Sequence, residues 1–319
     1  MTRRVAGLTL LAGSALLWAS CGRETGPAGT DRKVGVFVSI LPQAQFVERV
    51  GGEHVDVDVL VGPGQEPHTF EPTPRQMTRL GRARLYFRVG LPFEETLCPK
   101  LASIHKGLEI VDTRDGIELR PMTPGHAGEN ENETGAAHGQ GETDPHVWLS
   151  PKLARIQART ICEALCRVDA AHQAFFRGSL HALQADLDRL DSELAQVLSP
   201  LKGRSFYVFH PAFGYLADAY GLKQKAVETG GKDPGPRHIA ALIEQAKADG
   251  VKVIFVQPQF PRRAAETIAD QIGGVVVPMD PLARDYLGNL RQMAEKIRKA
   301  LSPGPHPATG AAPGRQDRS

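Results

Sequence analysis

The chain has 319 residues, 41% hydrophobic and 23% charged, ordinary values for a globular protein with room for two domains. A net charge of +2, without any dense Lys/Arg run carrying interleaved aromatics, excludes nucleic acid as the expected partner. Twenty-four prolines and 33 glycines point to many loops.

Residues 1–21 read as an export signal and are set apart from the fold. Arg3 and Arg4 precede an apolar stretch from Val5 to Ala19. At about fifteen residues it is shorter than the roughly twenty needed to span a bilayer as a helix. Ala19-Ser20-Cys21 resembles the end of a bacterial lipoprotein signal, which makes Cys21 the expected lipidated first residue of the mature chain. Trp18 stands where that motif normally has Leu. An ordinary secretory signal is the alternative, and both place the protein outside the cytoplasm, periplasmic or on the cell surface.

A polar tether (22–33) leads into β-branched runs that alternate with helical patterns. Strands are expected at 34–41, 55–61, 85–89 and 108–112, with helices at 43–50 and 77–82. Strands separated by helices imply right-handed βαβ units and a parallel sheet. Residues 121–143, rich in Gly, Glu, Asn and Thr, interrupt this pattern and read as an exposed loop. The loop holds His126 and His138 among acidic residues, so it is either a solvated insertion or a weak auxiliary cation site.

Ser150-Pro151 opens a helix, with Ser at the N-cap and Pro at the first helical position. Phe176, Leu180, Leu183, Leu187, Leu190, Leu194 and Val197 then recur at spacings of three and four, one apolar seam ended by Pro200. A helix of roughly 25 residues is nearly 40 Å long, enough to run from one domain to another. A second α/β set follows, with strands at 205–209, 251–256 and 275–278 and helices at 212–220, 236–249, 262–272 and 286–301. The expected fold class is α/β: an N-terminal lobe (34–172), a linker helix (173–200), a C-terminal lobe (201–301) and a disordered tail from 302.

With Cys21 lipidated, Cys98, Cys162 and Cys166 remain. Export makes one disulfide plausible, either from Cys98 to one of the pair or not at all, with the thiols buried and free. Cys162 and Cys166 are i,i+4 on a helix, and a zinc site there would need two more ligands that the neighbouring sequence does not offer.

Four candidate metal ligands each sit beside a proline: Glu66-Pro67-His68, Asp144-Pro145-His146, His210-Pro211 and Asp280-Pro281. Proline stiffens these loops. Three imidazoles and a carboxylate make a full shell for a divalent ion, with zinc leading. His210 and Asp280 directly follow expected strands, where open α/β sheets bind their ligands.

The strings Gly62-Pro-Gly-Gln-Glu-Pro-His68-Thr-Phe-Glu-Pro-Thr-Pro74, Asp144-Pro-His-Val-Trp-Leu-Ser-Pro151, Phe209-His-Pro-Ala-Phe-Gly-Tyr215 and Met279-Asp-Pro-Leu282 occur in that order. Together they resemble the metal-binding subunits of bacterial zinc/manganese ABC importers, over about residues 34–301. The resemblance implies two α/β lobes joined by a long rigid helix, with the ion in the interlobe cleft. It implies His68, His146, His210 and Asp280 as ligands, Zn2+ as cargo with Mn2+ or iron the alternative, an ABC permease as partner, a monomer, and no enzymatic activity. Members selective for manganese tend to carry Glu at the third position, and His210 is the zinc-like choice. Glu66, where many members have Asp, and the loop's few histidines depart from the pattern.

From other classes, a zinc hydrolase needs an open coordination position and a placed general base, and no His-Glu-x-x-His helix is present. A surface adhesin would show a binding motif, and none stands out.

Overall fold

A computed structural model describes residues 33–122, 143–228 and 234–302. The export signal with Cys21, nearly all of the tether, residues 123–142 with His126 and His138, and the tail from 303 lie outside the described residues.

The N-terminal lobe is built on β1 (Val34–Val38), α1 (Leu41–Gly51), β2 (Val55–Val59), α2 (Pro74–Leu80), β3 (Leu85–Arg88), α3 (Pro92–Ile104) and β4 (Glu109–Asp112). Its four strands are parallel in the order β2-β1-β3-β4, in register from Val36 opposite Leu85 and Val34 opposite Val55. The central run Val34-Gly-Val-Phe-Val is almost wholly buried, as a strand covered on both faces must be. The edge strand β2, Val-Asp-Val-Asp-Val, alternates instead, and its carboxylates blunt an open edge. Thr73 caps α2: its hydroxyl accepts the Gln76 amide hydrogen while Gln76 Oε1 accepts that of Thr73.

Two helices follow, α4 (Pro151–Val168) and α5 (Gln173–Leu198). The seam read from the sequence is the buried side of α5, where Phe176, Leu183, Leu187, Leu190, Leu194 and Leu198 are buried. Each such side chain contributes roughly 1.5–3 kcal/mol by leaving water. Acidic residues on the other sides pair with both lobes: Asp186 with Arg49 of α1, Asp188 with Arg155 of α4, and Glu193 with Arg291 of the last helix.

The C-terminal lobe repeats the first topology. It contains β5 (Ser205–Val208), α6 (Gly214–Tyr220), β6 (Lys223–Ala226), α7 (Pro236–Ala248), β7 (Val253–Val256), α8 (Arg263–Gln271), β8 (Val275–Pro278) and α9 (Tyr286–Leu301). The parallel order is β6-β5-β7-β8. Successive side chains of a strand point to opposite faces. Phe206 and Val208 therefore join the core that continues through α5 into the N-terminal lobe, and Tyr207 and Phe209 join a separate core with α7 and α8. α6 ends at Gly221, whose φ of 71° is the left-handed conformation glycine takes most readily.

Two elements were not expected from the sequence. α3 carries Pro99, a residue that normally interrupts a helix, and buries Glu94 among the amide hydrogens of Val89, Gly90 and Leu91. β6 reads Lys-Gln-Lys-Ala, with no apolar period, because it is an edge strand held by backbone pairing to β5. Among the described residues no helix is long and apolar enough to cross a membrane.

Candidate metal centre

Three segments from the two lobes bring imidazoles together. His68 sits in the loop between β2 and α2, where the Glu66 carboxylate accepts the amide hydrogens of His68 and Thr69, both at 2.7 Å. The glutamate thus shapes the loop backbone, and its contacts are to the loop rather than to an imidazole nitrogen. His146 opens the 3-10 turn before α4. There Asp144 Oδ1 accepts the His146 amide hydrogen at 3.0 Å and lies 2.7 Å from Nδ1 of the ring. His210 follows β5 and is held on four sides. Gln257 accepts its amide hydrogen at 3.1 Å and donates to its carbonyl at 2.6 Å. Glu228 Oε1 meets its Nδ1 at 2.7 Å, and Phe260 stacks on the ring at 4.8 Å between centroids.

The Nε2 atoms of His68 and His210 are 3.1 Å apart, and those of His210 and His146 are 3.4 Å apart. All three histidines offer ligand atoms within 4.8 Å of one another. A tetrahedral zinc with Zn–N bonds of about 2.0–2.1 Å requires nitrogen–nitrogen edges of roughly 3.3–3.4 Å. The His68–His210 and His210–His146 edges are therefore already close to zinc scale.

Tautomers follow from the carboxylates. Asp144 and Glu228, both buried, accept the Nδ1 hydrogens of His146 and His210, which leaves the Nε2 lone pairs of both rings facing each other. Two lone pairs 3.4 Å apart repel, and a cation between them removes the repulsion. Burial, reinforced by the neighbouring His210 and His146, holds His68 well below the ordinary histidine value of 6.5. Burial likewise lowers His146, against the opposing pull of Asp144. Neutral imidazole is the form that binds metal.

Asp280 lies outside this group. It follows β8, where its Oδ1 accepts hydrogens from Gln259 Nε2 at 2.8 Å and from the Leu282 amide at 3.0 Å. Its loop is nonetheless tied to the His146 segment. The Trp148 indole donates to the Pro281 carbonyl at 2.8 Å, and the Tyr286 hydroxyl donates to the Trp148 carbonyl at 2.7 Å. A second tie crosses at Tyr215, whose hydroxyl donates to the Asp144 carbonyl and accepts from the Arg120 amide.

Sequence reasoning missed Glu228, Gln257 and Phe260. The signal available for Glu228 was its place after a strand, and that strand was itself not recognised. The signal for Asp144 was its place two residues before His146, from which a carboxylate can reach Nδ1 of the ring.

Residues 36–300 match the family model of the periplasmic zinc-uptake complex component A, ZnuA. The chain belongs to the ZnuA family. Among its ZnuA-like relatives is the high-affinity zinc uptake system protein ZnuA of Bacillus subtilis, 30% identical over 94% of this chain and 99% of that protein. A crystal structure of ZnuA superimposes with a TM-score of 0.77 at 37% identity, covering 85% of this chain and all of the other. A ZnuA deletion mutant solved with zinc bound gives the same TM-score and identity over 86% of this chain. The two parallel-sheet lobes and helical linker are those of ZnuA-type structures.

Proposed function

We propose that this chain captures Zn2+ outside the cytoplasm and hands it to the membrane permease of an ABC importer. The observation that carries this is the convergence of three imidazoles, contributed by both lobes, with two of their Nε2–Nε2 separations near the edge length of a zinc tetrahedron. His68, His146 and His210 hold the ion in this reading, and Asp280 supplies the fourth, oxygen ligand. Gln259 and the Leu282 amide occupy one oxygen of Asp280, so the other is the atom assigned to zinc. A fourth protein ligand separates a carrier from a hydrolase, which keeps a position for water. A nitrogen-rich shell also favours zinc over manganese, which suits more oxygen donors.

The finer arrangement belongs to the same proposal. Residues 1–21 direct export, a lipid on Cys21 anchors the chain, and lobes 34–172 and 201–301 act as a monomer around the linker helix 173–200.

The test is metal analysis with competition titration of the purified chain. One zinc per chain, preferred over manganese by orders of magnitude and lost in His210→Ala, is the expected result. Comparable affinity for manganese would refute the cargo, and unchanged zinc binding by His210→Ala would refute the ligand set.

A further inference from the structure

Away from the imidazoles, α4 carries a second pair of metal-binding atoms. Cys162 and Cys166 stand one turn apart with their Sγ atoms separated by 4.0 Å. Both are free thiols; Cys162 is buried and Cys166 partly exposed. Cys98 is also free, so the disulfide considered from the sequence is not formed.

Donor number decides what such a pair can bind. Among the described residues, the histidine triad is the one group that offers three or more His, Cys, Asp or Glu ligand atoms together. The thiol pair therefore supplies two donors, half of what structural zinc requires. Soft thiolates select copper(I), and a closed-shell monovalent ion of that kind is satisfied by two sulfurs in line. Two metal–sulfur bonds of roughly 2.3 Å span about 4.6 Å in line; at 4.0 Å the pair would hold such an ion bent at about 120°, and it reaches the in-line arrangement by spreading roughly 0.6 Å.

A monovalent ion between two thiolates makes a complex of charge −1. Burial and the Cys166 thiol oppose negative charge at Cys162, and the Arg177 guanidinium near the start of α5 offsets part of that cost, with Glu163 opposing more weakly. We propose that Cys162 and Cys166 form a second site, for a soft thiophilic monovalent cation such as copper(I) or silver(I). Binding forms two metal–sulfur bonds and releases two protons, with no electron transferred. Burial and the neighbouring thiol push Cys162 up to about 12, so Cys162 keeps its proton at neutral pH against ions that bind thiolate weakly. The two sites then sort ions by softness, keeping a thiophilic contaminant off the imidazoles.

The experiment is an anaerobic titration of the reduced, zinc-loaded full chain with copper(I), against bathocuproine disulfonate as competitor. One copper(I) retained per chain, with zinc still bound, is expected. Cys166→Ser should abolish copper retention and leave zinc affinity unchanged, which also shows that the variant folds; Cys166→Ala takes its place where zinc binding is lost. Cys21→Ser and Cys98→Ser should retain both ions. Copper retained equally by a folded Cys166 variant, copper displacing zinc stoichiometrically, or no copper retained by a zinc-competent chain would each overturn the proposal.

Discussion

Glu228 touches no ion in the proposed centre, yet its removal should weaken zinc binding measurably. Its Oε1 lies 2.7 Å from Nδ1 of His210, which puts the carboxylate about 7 Å from a zinc on Nε2 of the same ring. At that distance a unit negative charge stabilises a divalent ion by about 5 kcal/mol at an effective dielectric of 20, and by about 1 kcal/mol at that of water. Carboxylates behind a histidine ligand typically contribute a 10–100-fold gain in affinity, or about 1.4–2.8 kcal/mol, which lies between those limits. Glu228→Ala is therefore expected to lower zinc affinity by about 10–100-fold. Glu228→Gln keeps an acceptor for Nδ1 and loses the charge, so its loss should be the smaller of the two. The assay is zinc competition against a chromophoric chelator at neutral pH, with thermal unfolding of the metal-free variants as the control for folding. Affinity within twofold of the parent for a folded Glu228→Ala would refute the claim that this carboxylate orients His210 and adds its negative charge to the zinc site.

The same physics governs pH. His68 and His146 are shifted below 6.5, so protons compete with zinc only in more acid solution. At these two ligands proton competition should set in only below pH 6.5, and a steep loss of zinc affinity between pH 8 and 7 in a titration series would contradict the assignment. For the metal-free protein the unfolded state binds more protons in this window, so these histidines remove stability as pH falls from 6.5 towards their lower folded values. Trp148→Phe deletes the indole donor to the Pro281 carbonyl, and leaving that carbonyl unpaired should cost about 1–3 kcal/mol in denaturant unfolding. An unchanged midpoint would show that the tie between the His146 and Asp280 segments is not structural. Leu187→Ala, in the buried seam of α5, should cost about 2–5 kcal/mol while leaving zinc affinity near the parent value, and a large loss of affinity at unchanged stability would be the contrary result.

The α/β architecture was legible because buried parallel strands such as Val34–Val38 and Val253–Val256 are nearly continuous apolar runs, and because α5 shows its seam at helical spacing. β6 and α3 were not legible. One is a polar edge strand whose pairing is set by β5, and the other carries a proline that its packing tolerates. At the centre, His68, His146 and His210 were found because proline-flanked histidines at strand and helix ends form a recognisable pattern. Their supports were hidden because Glu228 and Gln257 reach His210 from 18 and 47 residues away, a proximity that only the sheet order creates. Asp280 shows the converse. Its place after β8 was correctly read, but the hydrogen bonds that engage its Oδ1 belong to tertiary structure.

The most direct test of the central claim is zinc-edge X-ray absorption on the loaded chain. The account predicts a four-coordinate ion with three imidazole nitrogens and one oxygen at about 2.0–2.1 Å. Sulfur scattering near 2.3 Å would move zinc to the thiol pair, and a shell without imidazole would contradict the site altogether.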